Sequence, residues 1–360
     1  MKILYVVEHY HPYIGGVEKL FKTLCEEVAA QGDEVTVVTT LHNKRLQQKE
    51  TLNGVSIRRI PVKNRYLFTF FGWIWILKYA KGKDLIHTTS YNAALPAFFT
   101  GLFMRKKVIV TFHEVWQEQW FEVPFLSAFE RWGFFLYEKF ILKLPFTKFV
   151  GVSQFTFQKL VASKSSKKIV KIFNGVDYSA LELPDVQEKL GGFNYLFFGR
   201  LGVSKGIDLI IEAAKIFNEN HKDATFHFVL PKYPKPMRKK VMEYFNNHKP
   251  KQVKLYHELP YEELLLLKTK VNCAVIPSIS EGFGFSAAEC CAVGMPIISS
   301  ERGALSEVTY GKVNRFYPYN AESLVSALEN AYQNKWDSKP EIKFHLAEMV
   351  NKYKALYCSI

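Results

Sequence analysis

Two carboxylates, Glu281 and Glu289, stand at either end of a glycine-punctuated stretch that begins Pro277-Ser278-Ile279-Ser280-Glu281-Gly282-Phe283-Gly284-Phe285-Ser286 and continues to Pro296. Gly282 and Gly284 leave out side chains where a ligand has to approach the backbone. Small residues resume a helical pattern at Ser286, so the stretch reads as a loop turning into a helix. The free N–H groups of that helix's first turn suit an anion, which the helix dipole also favours. Phosphate is the anion that fits. Glu281 falls just before the helix and Glu289 about one turn inside it, so both carboxylates can border a single pocket.

Three further constellations carry chemistry. Gly199-Arg200-Leu201-Gly202-Val203-Ser204-Lys205-Gly206 follows an apolar, strand-like run and places two cations on one loop. Arginine offers a fork of donors and lysine a compact charge, and together they can neutralise a diphosphate. Gly15-Gly16-Val17-Glu18 opens the first helix and again bares amides at a strand-to-helix turn. Thr111-Phe112-His113-Glu114 ends a strand with an imidazole, at the sheet edge where α/β folds display reactive side chains.

The elements that position these residues alternate. Ile3–Val7, Glu34–Thr40, Val55–Ile60, Asp84–Ser90, Lys107–Phe112 and Lys148–Val152 read as strands. Val17–Gln31, Leu67–Lys81, Asn92–Met104 and Phe125–Leu144 read as helices between them. This alternation implies a parallel sheet covered on both faces, with ligands at the carboxyl ends of its strands. The apolar stripe through Phe125–Phe146 reads as a core helix. A second series follows: Tyr195–Phe198, helix Ile207–Asn218, then strands Thr225–Leu230, Val253–His257, Cys273–Ile276, Pro296–Ser299 and Arg315–Tyr317, with a last helix at Ile342–Leu356. Asn174-Gly175 and the polar stretch from Tyr178 to Gly192, with Pro184, read as the linker.

Composition bounds the setting. A chain of 360 residues exceeds the length at which single cores usually stop growing, and its 48% hydrophobic content is ample for two. Five cysteines without framework or metal spacing point to a reducing, cytoplasmic compartment. Met1–Val7 reads as a buried strand rather than a cleavable apolar segment. The formal charge of +14 calls for a negative partner, and no nucleic-acid motif accompanies it. The apolar run Tyr66–Ala80 is shorter than the about 20 residues of a spanning helix. It is either a buried helix or one lying at an anionic membrane surface beside Lys78, Lys81 and Lys83.

The segment Pro277–Pro296 resembles the signature of the retaining family 4 glycosyltransferases, P-S-x-x-E-G-F-G-x-x-x-x-E-x-x-A-x-G-x-P. The resemblance extends over nearly the whole chain. Gly199–Asp208 resembles the family's G-R-L-x-x-x-K-G-x-D, Asn174–Asp177 its N-G-V-D, Gly15–Glu18 its G-G-x-E, Val150–Ser153 its V-x-V-S, and Gly303–Val308 its G-x-x-x-E-V. It is weakest between Leu41 and Ala80. The chain departs from the family pattern at Leu230–Pro236, where three prolines replace a G-x-G turn, and near Arg315, where a glycine is missing.

That resemblance implies an α/β GT-B fold: two facing Rossmann-like domains with an interdomain cleft. Residues 1–172 would form the acceptor-side domain, 173–192 the hinge, 193–340 the nucleotide-sugar domain, and 341–360 a helix returning to the first domain. It implies a retaining transfer of a sugar from a nucleoside diphosphate sugar to an acceptor hydroxyl on a glycan, lipid-linked or cell-surface polysaccharide precursor. No metal or other cofactor is implied, and no D-x-D sequence occurs. Arg200, Lys205 and the amides after Gly284 would stabilise the departing diphosphate, Glu281 would hold hydroxyls of the transferred sugar, Glu289 those of the ribose, and His113 would lie near that sugar. Gly15, Gly16, Gly199, Gly282, Phe283, Gly284, Phe285 and Ser286 would complete the donor contacts. A basic domain on the inner face of the plasma membrane would reach lipid-linked acceptors. Two other readings use the same pocket: a sugar-nucleotide epimerase or hydrolase of the same fold, and a catalytically silent sugar-nucleotide-binding partner.

Overall fold

The computed structural model describes residues 1–13, 15–62, 64–163, 168–181 and 188–360. Residues 182–187 of the expected linker, Pro184 among them, lie outside the described residues. The chain divides into two compact units. The first comprises Met1–Gln117, Gly133–Gly175 and Phe344–Ile360, and the second Glu118–Trp132 and Val176–Lys343.

The first unit is an eight-stranded sheet: β1 (Lys2–Val6), β2 (Glu34–Thr40), β3 (Lys49–Leu52), β4 (Val55–Ile60), β5 (Leu85–Thr89), β6 (Lys107–Phe112), β7 (Lys148–Gly151) and β8 (Ile169–Lys171). Their order is β3-β4-β2-β1-β5-β6-β7-β8, parallel except for the edge pair β3–β4. β1 is buried along Ile3–Val6 because neighbours flank it and helices cover it, which is why such strands read as continuous apolar runs. The edge strand β3, Lys-Glu-Thr-Leu, has no apolar pattern. It exists because Asn53 (φ 49°) and Gly54 (φ 79°) form a two-residue hairpin turn with both central residues left-handed.

The C-terminal helix, Leu346–Cys358, belongs to this unit and buries Met349, Val350, Tyr353, Leu356 and Tyr357. The Tyr357 hydroxyl lies 3.0 Å from the Tyr5 hydroxyl and 2.7 Å from His87 Nδ1. His87 Nε2 meets Thr111 Oγ1 at 2.8 Å, and Thr111 Oγ1 meets the Tyr353 hydroxyl at 3.0 Å. Burial pushes the His87 imidazole down to about 3, with the neighbouring His113 adding to the shift. The ring is therefore neutral near pH 7, and each of its nitrogens faces a hydroxyl.

Two expected helices differ in their surroundings, the second of them crossing the boundary between the units at Trp132. The run Leu67–Lys81 is two helices, Arg65–Phe71 and Trp73–Ala80, joined at Gly72 and capped at the start by Asn64 Oδ1, which accepts from Tyr66 N (2.8 Å) and Leu67 N (3.3 Å). The pair buries only Phe68, Thr69, Ile76 and Ala80. Tyr66, Leu67, Phe70, Phe71 and Ile74 are each about half or more exposed, so the segment is not a fully buried helix. Phe125–Phe146 is likewise not a core helix with wide apolar coverage. The helix Ala128–Lys143 buries Phe135, Glu138, Ile141 and Leu142, while Phe129, Trp132, Leu136 and Phe140 face outward, Phe129 at 87% exposure. The buried charge explains the inversion. Glu138 accepts from Trp116 N (2.8 Å), Gln117 N (2.5 Å) and the Tyr91 hydroxyl (2.7 Å), so this polar face is needed inside. Among the described residues no helix is long and apolar enough to cross a membrane.

The second unit is a seven-stranded sheet: β9 (Phe193–Phe198), β10 (Ala224–Leu230), β11 (Val253–His257), β12 (Cys273–Ile276), β13 (Ile297–Ser299), β14 (Gly311–Arg315) and β15 (Asp337–Lys339). The order is β11-β10-β9-β12-β13-β14-β15, with only β15 antiparallel. β14 ends at Arg315, where the sequence reading has a strand begin, because its register is fixed by β13 and β15 rather than by apolar content. The helix Ile207–Asn220 buries Leu209, Ile210, Ala213, Ala214 and Phe217, the spacing expected of a helix packed on the sheet. The segment Glu118–Trp132 joins this unit through Glu122, which pairs with Arg302, and Phe125, whose carbonyl accepts from Lys240 Nζ at 2.5 Å. Nothing in its composition marks that excursion.

Candidate active site

In the second unit β9 has β10 on one side and β12 on the other, so successive connections depart in opposite directions from the β9/β12 gap. Loops leaving the carboxyl ends at such a reversal diverge and open a crevice for ligands. The loop after β9 carries Gly199, Arg200 and Lys205, and the loop after β12 carries Ser278, Glu281, Gly282 and Gly284. The fold thus brings together the cation pair and the carboxylate loop that the sequence spaces some eighty residues apart.

Lys205 Nζ lies 2.6 Å from Glu281 Oε1, with the side chains only 19% and 8% exposed. Ser278 Oγ donates to the same oxygen at 2.7 Å. A charge-assisted pair at this depth is short and directional. It fixes the rotamer of Glu281 and leaves Oε2 available to a ligand hydroxyl. The backbone below is equally constrained. Ala304 N donates to the Glu281 carbonyl at 2.8 Å, and Gly303 sits at φ +68° so close that a Cβ there would lie 2.7 Å from Glu281 N and nearer still to its carbonyl oxygen. Ile279 N donates to Ser204 O at 2.8 Å, tying the two loops together, and Gly206, at φ +63°, faces the Pro277 carbonyl and the Tyr319 hydroxyl. Tyr319 donates to that same carbonyl at 2.7 Å.

Gly284, left-handed at φ +92°, is the residue from which the helix Phe285–Ala292 starts. Ala287 N and Ala288 N bond back to the Gly284 carbonyl at 3.0 Å each, and the amides of Phe285 and Ser286 have no intrahelical acceptor. Gly282 and Phe283 are buried, and the Phe283 and Phe285 rings meet at 5.0 Å. Gly199 has φ +152° with open space where a side chain would stand. Arg200 is exposed and, among the described residues, has no hydrogen-bonding or ionic partner. A guanidinium without an internal partner at a strand end is available to an anion. Glu289, about a turn into the helix, has its Oε2 3.7 Å from Lys268 Nζ. Sequence reasoning passed over Lys268, Ser278 and Gly303 as parts of the site. Ser278 and Gly303 stand inside the stretches Pro277–Pro296 and Gly303–Val308, whereas Lys268 carries no signal beyond being a charge at the end of an apolar run.

The other candidates lie in the first unit. His113 follows β6, is half-buried, and meets the Phe21 ring edge-on at 5.8 Å. Gly15 and Gly16 begin the helix Gly16–Ala30 after β1, and Gly15 is extended at φ −177°, a conformation open to any residue. The backbone at Gly15 therefore does not itself require glycine.

Residues 14–180 match the family described as Glycosyltransferase Family 4, and residues 182–348 match Glycosyl transferases group 1. The GDP-mannose:cellobiosyl-diphosphopolyprenol alpha-mannosyltransferase of Xanthomonas oryzae is 25% identical over 318 residues, covering 83% of this chain and 78% of the relative. Among solved structures, sucrose-phosphate synthase from Thermosynechococcus elongatus superimposes with a TM-score of 0.76 at 18% identity, covering 100% of this chain and 99% of that one. HepE of Anabaena, in complex with UDP and glucose, gives 0.71 at 13% identity with full coverage of both chains. These likenesses identify the architecture as the two-domain α/β GT-B fold. With consecutive matches to both family descriptions over nearly its whole length, the chain belongs to the family 4, group 1 glycosyltransferases.

Proposed function

We propose that this glycosyltransferase moves a hexose from a nucleoside diphosphate sugar to an acceptor hydroxyl with retention at the anomeric carbon. The observation that carries the reading is the Lys205–Glu281 pair at the β9/β12 strand ends, next to the bare first turn at Phe285. Arg200, Lys205 and the amides of Phe285 and Ser286 neutralise the departing diphosphate, the role preorganised donors fill wherever charge develops in a transition state. Glu281 accepts from hydroxyls of the transferred sugar and Glu289 from those of the ribose. His113 and the Gly15–Gly16 turn serve the sugar and the acceptor. No divalent ion takes part in this scheme, since Arg200 and Lys205 supply the positive charge. HepE in complex with UDP and glucose supports a nucleotide-sugar donor.

Incubating the protein with UDP-, GDP- and ADP-hexoses and following the anomeric protons by NMR tests the reading. Retained anomeric configuration in an acceptor-linked product, at a rate unchanged by EDTA, is expected. Turnover of donor that needs no acceptor would replace the transferase reading with hydrolysis or epimerisation. Inverted product would overturn the retaining mechanism, and an EDTA-abolished rate the metal-free one.

We further propose that the acceptor is borne by a membrane lipid and that the first unit rests on an anionic leaflet. The mannosyltransferase relative acts on a diphosphopolyprenol acceptor. The support within this chain is the bare apolar face of the helices Arg65–Phe71 and Trp73–Ala80, with Leu102 (59%) and Phe103 (57%) exposed near the end of the helix Ala94–Met104. The Trp73 and Phe103 rings meet at 4.9 Å, so these helices share one surface. Lys78, Lys81, Arg105, Lys106 and Lys107 flank it and no acidic residue falls in these helices, whereas Lys83 is buried against Glu34 and Arg65 is paired with Glu8, so Lys83 does not make its expected contribution. Apolar rings beside lysine and arginine suit an anionic interface, each nearby cation contributing about 1 kcal/mol. Sedimentation with vesicles should therefore retain the protein on phosphatidylglycerol-containing bilayers at low salt, and Phe70→Ser combined with Phe71→Ser should release most of it. Equal recovery in the supernatant with neutral and anionic vesicles sinks the idea.

A further inference from the structure

Lys268 lies on the helix Tyr261–Lys270 and is only 4% exposed, a rare placement for lysine unless it is paired. Its Nζ stands 3.7 Å from Glu289 Oε2 and 4.5 Å from the centre of the Phe198 ring. Glu289 is the only carboxylate within ion-pair reach of it among the described residues. Phe198 closes β9, immediately before Gly199 and Arg200, so this ammonium sits at the carboxyl end of the same strand that feeds the cation loop. Tyr261, seven positions earlier and so on the same face of that helix, has its phenol raised by burial first and by Glu289 second.

At 3.7 Å the pair is ionic but too long for a hydrogen bond, so Glu289 keeps its lone pairs for another donor. Burying an ammonium is costly, and replacing a buried ion pair with apolar residues of similar volume is often neutral or stabilising. A cation retained at this depth, facing a carboxylate on the loop-to-helix element of the site, therefore has a use beyond packing. Phe198 lessens the cost by offering its ring face.

We infer that Lys268 is a positioning residue for the donor's ribose: its charge draws Oε2 of Glu289 toward the helix Tyr261–Lys270 and leaves the other oxygen to accept from the vicinal hydroxyls. This rests on Glu289 as the ribose-binding residue. The side chain touches no reacting atom, so its effect belongs in donor affinity and not in the chemical step.

The test measures affinity by calorimetry for whichever of UDP, GDP and ADP binds most tightly, and for its 2′,3′-dideoxy counterpart. The proteins are the wild type, Lys268→Met, Glu289→Gln and the double variant. Lys268→Met should weaken the ribonucleotide roughly tenfold while leaving the dideoxy form unchanged, and it should add nothing on the Glu289→Gln background. Equal weakening of both nucleotides, or additive effects in the double variant, overturns the inference while leaving Glu289 in its role. Glu289→Gln without effect on the ribose preference overturns both. Lys268→Gln, which keeps a polar stem without charge, gives the same readout if the methionine variant does not fold, and Lys268→Arg should restore the preference.

Discussion

Arg200→Ala, Lys205→Ala and Glu281→Gln should each reduce transfer by roughly a hundredfold or more, the usual effect of removing one preorganised donor from a site of developing charge. The three losses differ in kind. Arg200 is exposed and unpartnered among the described residues, so its removal leaves the fold untouched and reports on the ligand alone. Its contribution grows as the glycosidic bond breaks, and the loss therefore appears in kcat more than in the affinity for the nucleoside diphosphate product. Lys205 and Glu281 form one unit at 2.6 Å, and removing either charge leaves the other part-buried without its counter-ion. Their effects should be strongly non-additive, the double variant losing little more than the worse single one. Glu281→Gln should still bind the nucleoside diphosphate, since that product lacks the sugar the carboxylate would hold. Transfer rate and product affinity, measured side by side for the three variants, check the assignment: intact transfer in all of them means that the site is elsewhere.

The largest stability effect is expected at Gly206. Its backbone is left-handed (φ +63°), and a Cβ would lie 2.6 Å from the Tyr319 hydroxyl and nearer still to the Pro277 carbonyl oxygen. An alanine there meets both the left-handed penalty and a contact with fixed backbone, together roughly 2–5 kcal/mol. Gly294 provides the matched control in the same unit, since it is also left-handed (φ +70°) but has open space around the missing side chain. Gly294→Ala should cost only about 1 kcal/mol. Urea midpoints separate the two. Gly206→Ala should also reduce transfer, because the residue that shifts is next to Lys205 and pushes on the carbonyl of Pro277, which begins the Glu281 loop. Equal midpoints for the two alanine variants would falsify the steric account.

The candidate loops at the ends of β9 and β12 were legible because their parts announce themselves locally. Gly282 and Gly284 follow an apolar run and precede small helix-forming residues, and Arg200 and Lys205 stand in the same relation to β9. What the chain could not display was the pairing of Lys205 with Glu281, which arises from β12 lying beside β9 and has no sequence-local cause. The central parallel strands β1, β6, β9, β10 and β12 were likewise readable as buried apolar runs, whereas the short parallel strands β8 and β14 were missed or misplaced because little of them is buried and apolar. The antiparallel edges β3 and β15 were not, for Lys-Glu-Thr-Leu and Asp-Ser-Lys owe their extended form to a neighbour rather than to burial. The Asn53-Gly54 turn was the available clue to the first of them. The helix Ala128–Lys143 misled for a physical reason: apolar spacing identifies a stripe but not which side of the helix it faces, and here the inward side carries a satisfied carboxylate, Glu138.

The C-terminal helix has a consequence for how the chain is made. Tyr5, near the start, finds its hydroxyl partner in Tyr357, and His87 and Thr111 find theirs in Tyr357 and Tyr353, partners separated by up to 352 positions. A ribosome delivers the amino end first, and domains generally fold as they emerge. The eight-stranded sheet is therefore laid down early but is left with unanswered polar groups at its centre until Phe344–Ile360 has been released. The seven-stranded sheet has its last strand once Lys339 is out, and its unit ends at Lys343. The half of the protein synthesised first is finished last, and a ribosome stalled short of Phe344 carries a closed second unit behind an open first one.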